Sequence, residues 1–137
     1  MKFFTFLTAL LFASIITNAQ ENPCPTVTGT RRVVITNGPV CSELIRFNAT
    51  GDISSDKSVN ITVYEGSGTS GKILIDSCFV IPKSSPSTEY NTIPYTKDCT
   101  KTVTIVVTRY TASNGLCQGG ACGTAILGPD GAPLPIK

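Results

Sequence analysis

Six cysteines, Cys24, Cys41, Cys78, Cys99, Cys117 and Cys122, are the side chains of this 137-residue chain whose type most directly implies chemistry, and the sequence contains no histidine. Without histidine there is no serine-histidine or cysteine-histidine nucleophile pair and no ordinary base near neutral pH. Zinc sites of the common kinds need closely spaced cysteine pairs or histidines, whereas here only Cys117 and Cys122 are close. The cysteines therefore read as disulfides, with no metal and no cofactor. Their connectivity is open on sequence grounds. Cys117 with Cys122 closes a small loop through Gln-Gly-Gly-Ala, Cys78 with Cys99 would clamp the loop between them, and Cys24 with Cys41 would then tie down the amino-terminal segment.

Carboxylates are the remaining route to catalysis. Glu43, Glu65 and Asp98 would have to pair across strands as glycosidase carboxylates do, and nothing in the sequence sets their separation. Ile75-Asp76-Ser77 has the apolar-Asp-Ser order of an aspartic-protease loop, but Cys78 stands where that loop needs glycine and no second copy completes a dyad. Gly66-Ser67-Gly68-Thr69-Ser70-Gly71 matches the spacing of a dinucleotide-binding fingerprint. That motif works at the amino terminus of a helix, and here Lys72-Ile-Leu-Ile-Asp continues as a strand, so the segment reads as a hairpin loop. No catalytic residue is assigned, and the expectation is a protein that is not an enzyme.

Binding rests on other residues. Tyr90 and Tyr95 fall in a loop-like stretch and are the candidate contacts for a partner, because tyrosine joins rigid apolar area to a polar tip. Asn48-Ala49-Thr50 and Asn60-Ile61-Thr62 match the N-glycan acceptor pattern, and both asparagines fall on the outward faces of expected strands. Arg31-Arg32 is the one adjacent basic pair and reads as a solvated strand edge. Two charges cannot supply the many phosphate contacts that nucleic-acid affinity requires, so no nucleic-acid partner is expected.

The elements that must position these groups are strands. Ser58 to Tyr64 alternates Val59, Ile61 and Val63 against Asn60, Thr62 and Tyr64, and Lys101 to Tyr110 alternates Val103, Ile105 and Val107 against their neighbours. Cys41 to Thr50 places Ile45, Phe47 and Ala49 inward. Arg31 to Thr36, Lys72 to Ile81 and a weaker Gly120 to Leu127 complete the set, and the near-continuous apolar run of Lys72 to Ile81 suggests cover on both faces. Turns are expected at Asn37-Gly38-Pro39, Gly51-Asp52, Gly66 to Gly71, Pro82 to Pro86 and Asn114-Gly115. The fold class that follows is all-β: one disulfide-stapled antiparallel β-sandwich of six or seven strands with immunoglobulin-like architecture.

Residues 1–19 have the form of a secretory signal peptide: Lys2, an apolar run from Phe3 to Ile16, then small residues up to Ala19. Removing them leaves about 118 residues, enough for one core, divided into a sandwich domain over 20–127 and a Pro-rich tail over 128–137 that should fray or lie extended. No later segment is apolar and long enough to span a membrane. The expected protein is secreted and non-catalytic, with an extracellular protein or glycan as partner and the oligomeric state open. An apolar-ligand carrier and an exported structural or assembly factor are the alternatives.

Overall fold

The computed structural model describes residues 24–111 and 116–134; the expected leader and the Asn114-Gly115 turn lie outside them. Eight strands are present among the described residues, with no helix: β1 Thr26–Asn37, β2 Cys41–Thr50, β3 Lys57–Glu65, β4 Ile73–Ile81, β5 Thr88–Asn91, β6 Tyr95–Lys97, β7 Val103–Tyr110 and β8 Ala121–Leu127. They form two antiparallel sheets. In the first, β2 is central, pairing with β1 on one side and with β5 and β6 along the other; the second runs β4-β3-β7-β8.

Period-two alternation sets which side chains enter the core, because successive residues of a strand point to opposite faces. Ile45, Phe47 and Ala49 of β2 meet Val59, Ile61 and Val63 of β3 and Val103, Ile105 and Val107 of β7 in one buried cluster. Phe47 bridges the sheets, with Phe79 of β4 edge-on at 5.1 Å between ring centroids and Tyr90 of β5 stacked on it at 5.3 Å. Burying such β-branched and aromatic side chains contributes about 1.5 to 3 kcal/mol each.

Three expectations need correction here. β4 is an edge strand, and Ile73 and Val80 stand exposed on it, so its apolar run is not covered on both faces. The stretch holding Tyr90 and Tyr95 is not a loop; it supplies β5 and β6. The tail does not fray through Leu134: Gly128 N–H donates to Ala132 O at 2.8 Å, Leu134 N–H donates to Ile126 O at 2.9 Å, and Leu127 bridges Pro133. Gly131 permits that turn. It has φ +81°, and a Cβ there would lie 2.1 Å from the Thr30 carbonyl oxygen, so the turn packs directly on β1.

The disulfides also differ from the expected pairs. Cys24 joins Cys122, Cys41 joins Cys99 and Cys78 joins Cys117. Sheet order is the reason. Cys122 lies on β8 and Cys24 just before β1, so their bridge ties an outer strand of each sheet to the other. Cys78, opposite Asn60 in register, faces outward from the second sheet, and Cys117 reaches it from the β7–β8 connection, whose chain is also held by Cys117 N–H donating to Ser58 Oγ at 2.9 Å. Cys41 opens β2 opposite Lys97, beside the loop that carries Cys99.

Candidate functional site

The same alternation that buries Ile45 and Phe47 also drives a carboxylate inward, since Glu43 shares their face. Glu43 is 2% exposed, and a carboxylate so far from water needs charged or hydrogen-bonding partners. It has two. Arg32 Nη1 donates to Oε2 at 2.7 Å, and the Tyr95 hydroxyl donates to Oε1 at 3.1 Å.

Arg32 reaches the interior because β1 is bulged. The ladder passes from Thr28 opposite Asn48 to Arg31 opposite Arg46, one residue more on β1 than on β2, with Gly29 at φ +67° inside the irregularity. One extra residue exchanges the faces of everything after it. Arg31 consequently points out, 3.9 Å from Glu89, and Arg32 points in. The pair expected as a solvated edge is thus split between two environments. Arg32 Nε also donates to Pro129 O at 2.7 Å, which fastens the folded-back tail to this end of the interior. Its Nη2 has no protein partner among the described residues.

Lys97 follows Tyr95 by two residues on β6 and so shares its inward face; it is 6% exposed. Its ammonium donates to the carbonyls of Asp98, at 3.0 Å, and Lys101. The connecting loop is pinned by Asp98 Oδ1, which accepts from Thr100 Oγ1 at 2.7 Å and from Thr100 N–H at 2.9 Å. Those hydrogen bonds, the side-chain one foremost, hold the Asp98 carboxyl below its usual pKa. Lys101 leaves the loop toward solvent, 3.7 Å from Glu65 Oε1, and the Cys41–Cys99 bridge staples the loop to β2.

Together these groups line a cleft of ≈ 350 Å³ at one end of the sheets, walled by Arg32, Glu43, Lys97 and Lys101 with Thr100, Thr102, Asn37, Val34 and Pro129 at its margins. Three cations face one carboxylate, and that carboxylate already has both oxygens engaged by Arg32 and Tyr95. Burial, then the charge of Glu43 and its hydrogen bond, push the Tyr95 phenol well above its ordinary pKa, and Arg32 offsets part of this. The arrangement is suited to holding an electron-rich group by the N–H donors of Arg32 and Lys101. A second cleft, ≈ 310 Å³, runs along the seam between β1 and β8 beside Val27, Val107, Arg109 and Leu127.

The residues expected to bind a partner are not brought together. Tyr95 is 5% exposed, its ring belongs to the core, and its hydroxyl serves Glu43, so it presents no surface to a partner. Tyr90 is half-buried against Phe47 and Phe79, and burial raises its pKa. Asn48 and Asn60 do lie on outward faces, each on a strand paired on both sides. Asn60 Nδ2, the atom a glycan would use, donates to Asp76 Oδ1 at 2.8 Å and Thr62 Oγ1 at 2.9 Å, which also gives Asp76 a hydrogen-bonding role. The glycine loop joins β3 to β4 as a hairpin connection, docked by Gly68 N–H on Thr104 Oγ1 at 2.8 Å. All six cysteines are in bridges, and no group of three or more Cys, Asp or Glu among the described residues is gathered in a way that would hold a metal ion.

Sequence reasoning missed Arg32, Lys97 and the inward role of Tyr95. Glu43 was visible as a charge in phase with Ile45 and Phe47, and that phase was the available signal for a buried cation nearby. Gly29 was the sign of the bulge. No family model matches the chain, and comparison with curated proteins and with solved structures finds no significant match.

Proposed function

We propose that this chain is an exported, non-catalytic binding domain of immunoglobulin-like architecture that captures an extracellular protein or glycan through the Arg32–Lys97–Lys101 cleft. The observation that carries the reading is a cleft lined by three cations, of which Arg32 keeps an unused Nη2 and Lys101 stands at the rim, on a scaffold stapled by the Cys41–Cys99 bridge. Small-molecule and glycan sites are built in this way, from a few fixed polar groups at the mouth of a rigid fold. Export is supported by the signal-like residues 1–19 and by three disulfides, which persist in oxidising compartments. The immunoglobulin-like reading is supported by the strand order, which divides eight strands as three sequence-early and middle segments around β2 and a β4-β3-β7-β8 partner sheet. A binding role is favoured over carboxylate catalysis because Glu43 is saturated by Arg32 and Tyr95, and Glu65 and Asp98 are engaged by Lys101 and Thr100.

Screening the oxidised protein on arrays of extracellular glycans and proteins tests this. Binding should be lost on Thr102→Trp, which fills the cleft margin, and kept on Thr124→Trp, an exposed position on β8 outside the cleft. Binding that survives Thr102→Trp, or turnover of a captured ligand, would overturn the reading.

A further inference from the structure

We infer that the ligand of this cleft is an acidic glycan, seated by a carboxylate or sulfate group against Arg32 and Lys101. The inference rests on the binding role proposed above and specifies its ligand class. Its first ground is charge. Three cations, Arg32, Lys97 and Lys101, line the space; Glu43 pairs with Arg32 and Glu65 with Lys101, which leaves one positive charge in excess. A bound neutral group would leave that excess positive charge uncompensated in a partly desolvated site, whereas an anion relieves it.

The second ground is unspent donor capacity. Arg32 uses Nε on Pro129 O and Nη1 on Glu43, so its Nη2 edge is available, and a guanidinium edge matches carboxylate and sulfate oxygens better than a point charge does. Lys97 spends its ammonium on the Asp98 and Lys101 carbonyls, which fixes the loop, and Lys101 is then presented at the rim with its side chain 57% exposed. Lys97 therefore positions, and Arg32 and Lys101 contact.

The third ground separates a sugar from a peptide. Thr100, Thr102 and Asn37 supply polar walls. An extended peptide gains its affinity from main-chain pairing with a free strand edge. Of the strands that line this cleft, β2 is paired on both sides there, while β1 and β6 pair only with β2, and the oligoglutamate probe below tests whether an acidic peptide uses those edges. A volume of ≈ 350 Å³ lies at the small end of ligand sites and suits a terminal sugar unit better than a polypeptide segment.

Calorimetric titration of the oxidised protein with four probes tests this: an oligogalacturonate, a sulfated oligosaccharide, a neutral oligosaccharide of the same length, and an oligoglutamate peptide. At least one acidic sugar should bind about tenfold or more tightly than the neutral one, and the two acidic arms distinguish carboxylate from sulfate. Lys101→Glu should weaken that binding about tenfold without moving the melting temperature, since Lys101 is exposed. Glu65→Gln, which releases Lys101, should tighten it by up to about fivefold. Equal affinity for the neutral sugar, tighter binding of oligoglutamate, or indifference to both variants would overturn the inference. If the arrays still show a ligand lost on Thr102→Trp, only the acidic-glycan assignment has failed; if they show none, the binding role has failed with it.

Discussion

Two lysine ammoniums are withdrawn from water at opposite ends of the interior, and they are used differently. Lys57 opens β3, and Glu65 closes it beside Lys101, whose carbonyl accepts from Lys97. Lys57 is 5% exposed, and its Nζ donates to Ser55 Oγ at 2.8 Å and Thr111 O at 3.0 Å. Lys97 is equally buried and equally saturated. The neighbours differ: Lys57 lines neither of the two clefts, whereas Lys97 stands with Arg32 and Lys101 around one of them. A buried cation by itself is thus a clasp for loop carbonyls. It contributes to a site only where further cations converge and one of them keeps a free donor.

Removing Glu43, the one buried carboxylate among the described residues, should break the contrast most severely. Glu43→Ala leaves the half-buried Arg32 guanidinium without its counter-charge and the buried Tyr95 hydroxyl without its acceptor, and should cost about 2 to 4 kcal/mol in chemical denaturation. A loss below about 1 kcal/mol would mean that this end is already wet and behaves as surface.

Next in size are Lys57→Met and Lys97→Met. Lys57→Met leaves the Thr111 carbonyl and the Ser55 hydroxyl without a donor, Lys97→Met the Asp98 and Lys101 carbonyls, and each should cost about 1 to 3 kcal/mol. The two should separate in what else they change. Lys97→Met should speed amide exchange in the 98–102 loop and weaken ligand binding, and Lys57→Met should do neither. Equal effects on binding would erase the distinction between clasp and site.

The smallest effect is expected from Tyr95→Phe, about 1 kcal/mol for one hydrogen bond at neutral pH. Its value lies in the pH dependence. The folded phenol has a raised pKa, so the unfolded chain loses this proton first; the contribution is complete below about pH 10 and falls away as pH rises past that value. Denaturation midpoints followed from neutral to alkaline pH should show a decline in the parent protein that is shallower in Tyr95→Phe. Identical slopes would remove Tyr95 from the interior charge network.

Much of the fold is legible in the sequence where alternation is long. The expected limits of the second strand, Cys41 to Thr50, coincide with β2, and β3, β7 and β8 begin and end within two residues of expectation. β5 and β6 are invisible for a physical reason. With four and three residues they are too short for a period to register, and Pro86 and Pro94 just before them resemble loop signals. They are strands because β2 offers a free edge, which is a tertiary fact.

The site was less legible still. Its carboxylate lies in phase with the β2 core residues, but its cation lies in phase only after a bulge has been inserted, and neither Arg31 nor Arg32 carries a mark that says which turns inward. Tyr95 was expected as a surface contact because its strand was not recognised. The disulfides fail as predictions for the same reason as β5 and β6: spacing along the chain measures the cost of closing a loop, and sheet order decides which cysteines meet.

The order of those bridges governs how the protein can be made. Counted along the chain, the first cysteine joins the sixth, the second the fourth and the third the fifth, so no bridge links consecutive thiols. A polypeptide emerges amino end first, and an oxidant acting on thiols as they appear would join neighbours, producing three bonds that are all foreign to the finished molecule. The Cys24–Cys122 bond must wait until β8 comes within reach of the amino-terminal segment, and any early, wrong bond must be undone by thiolate attack. Bond reshuffling, which takes minutes to hours without a catalyst, should therefore limit the yield of this protein more than oxidising power does. A host rich in disulfide isomerase should produce it where a merely oxidising one accumulates scrambled chains.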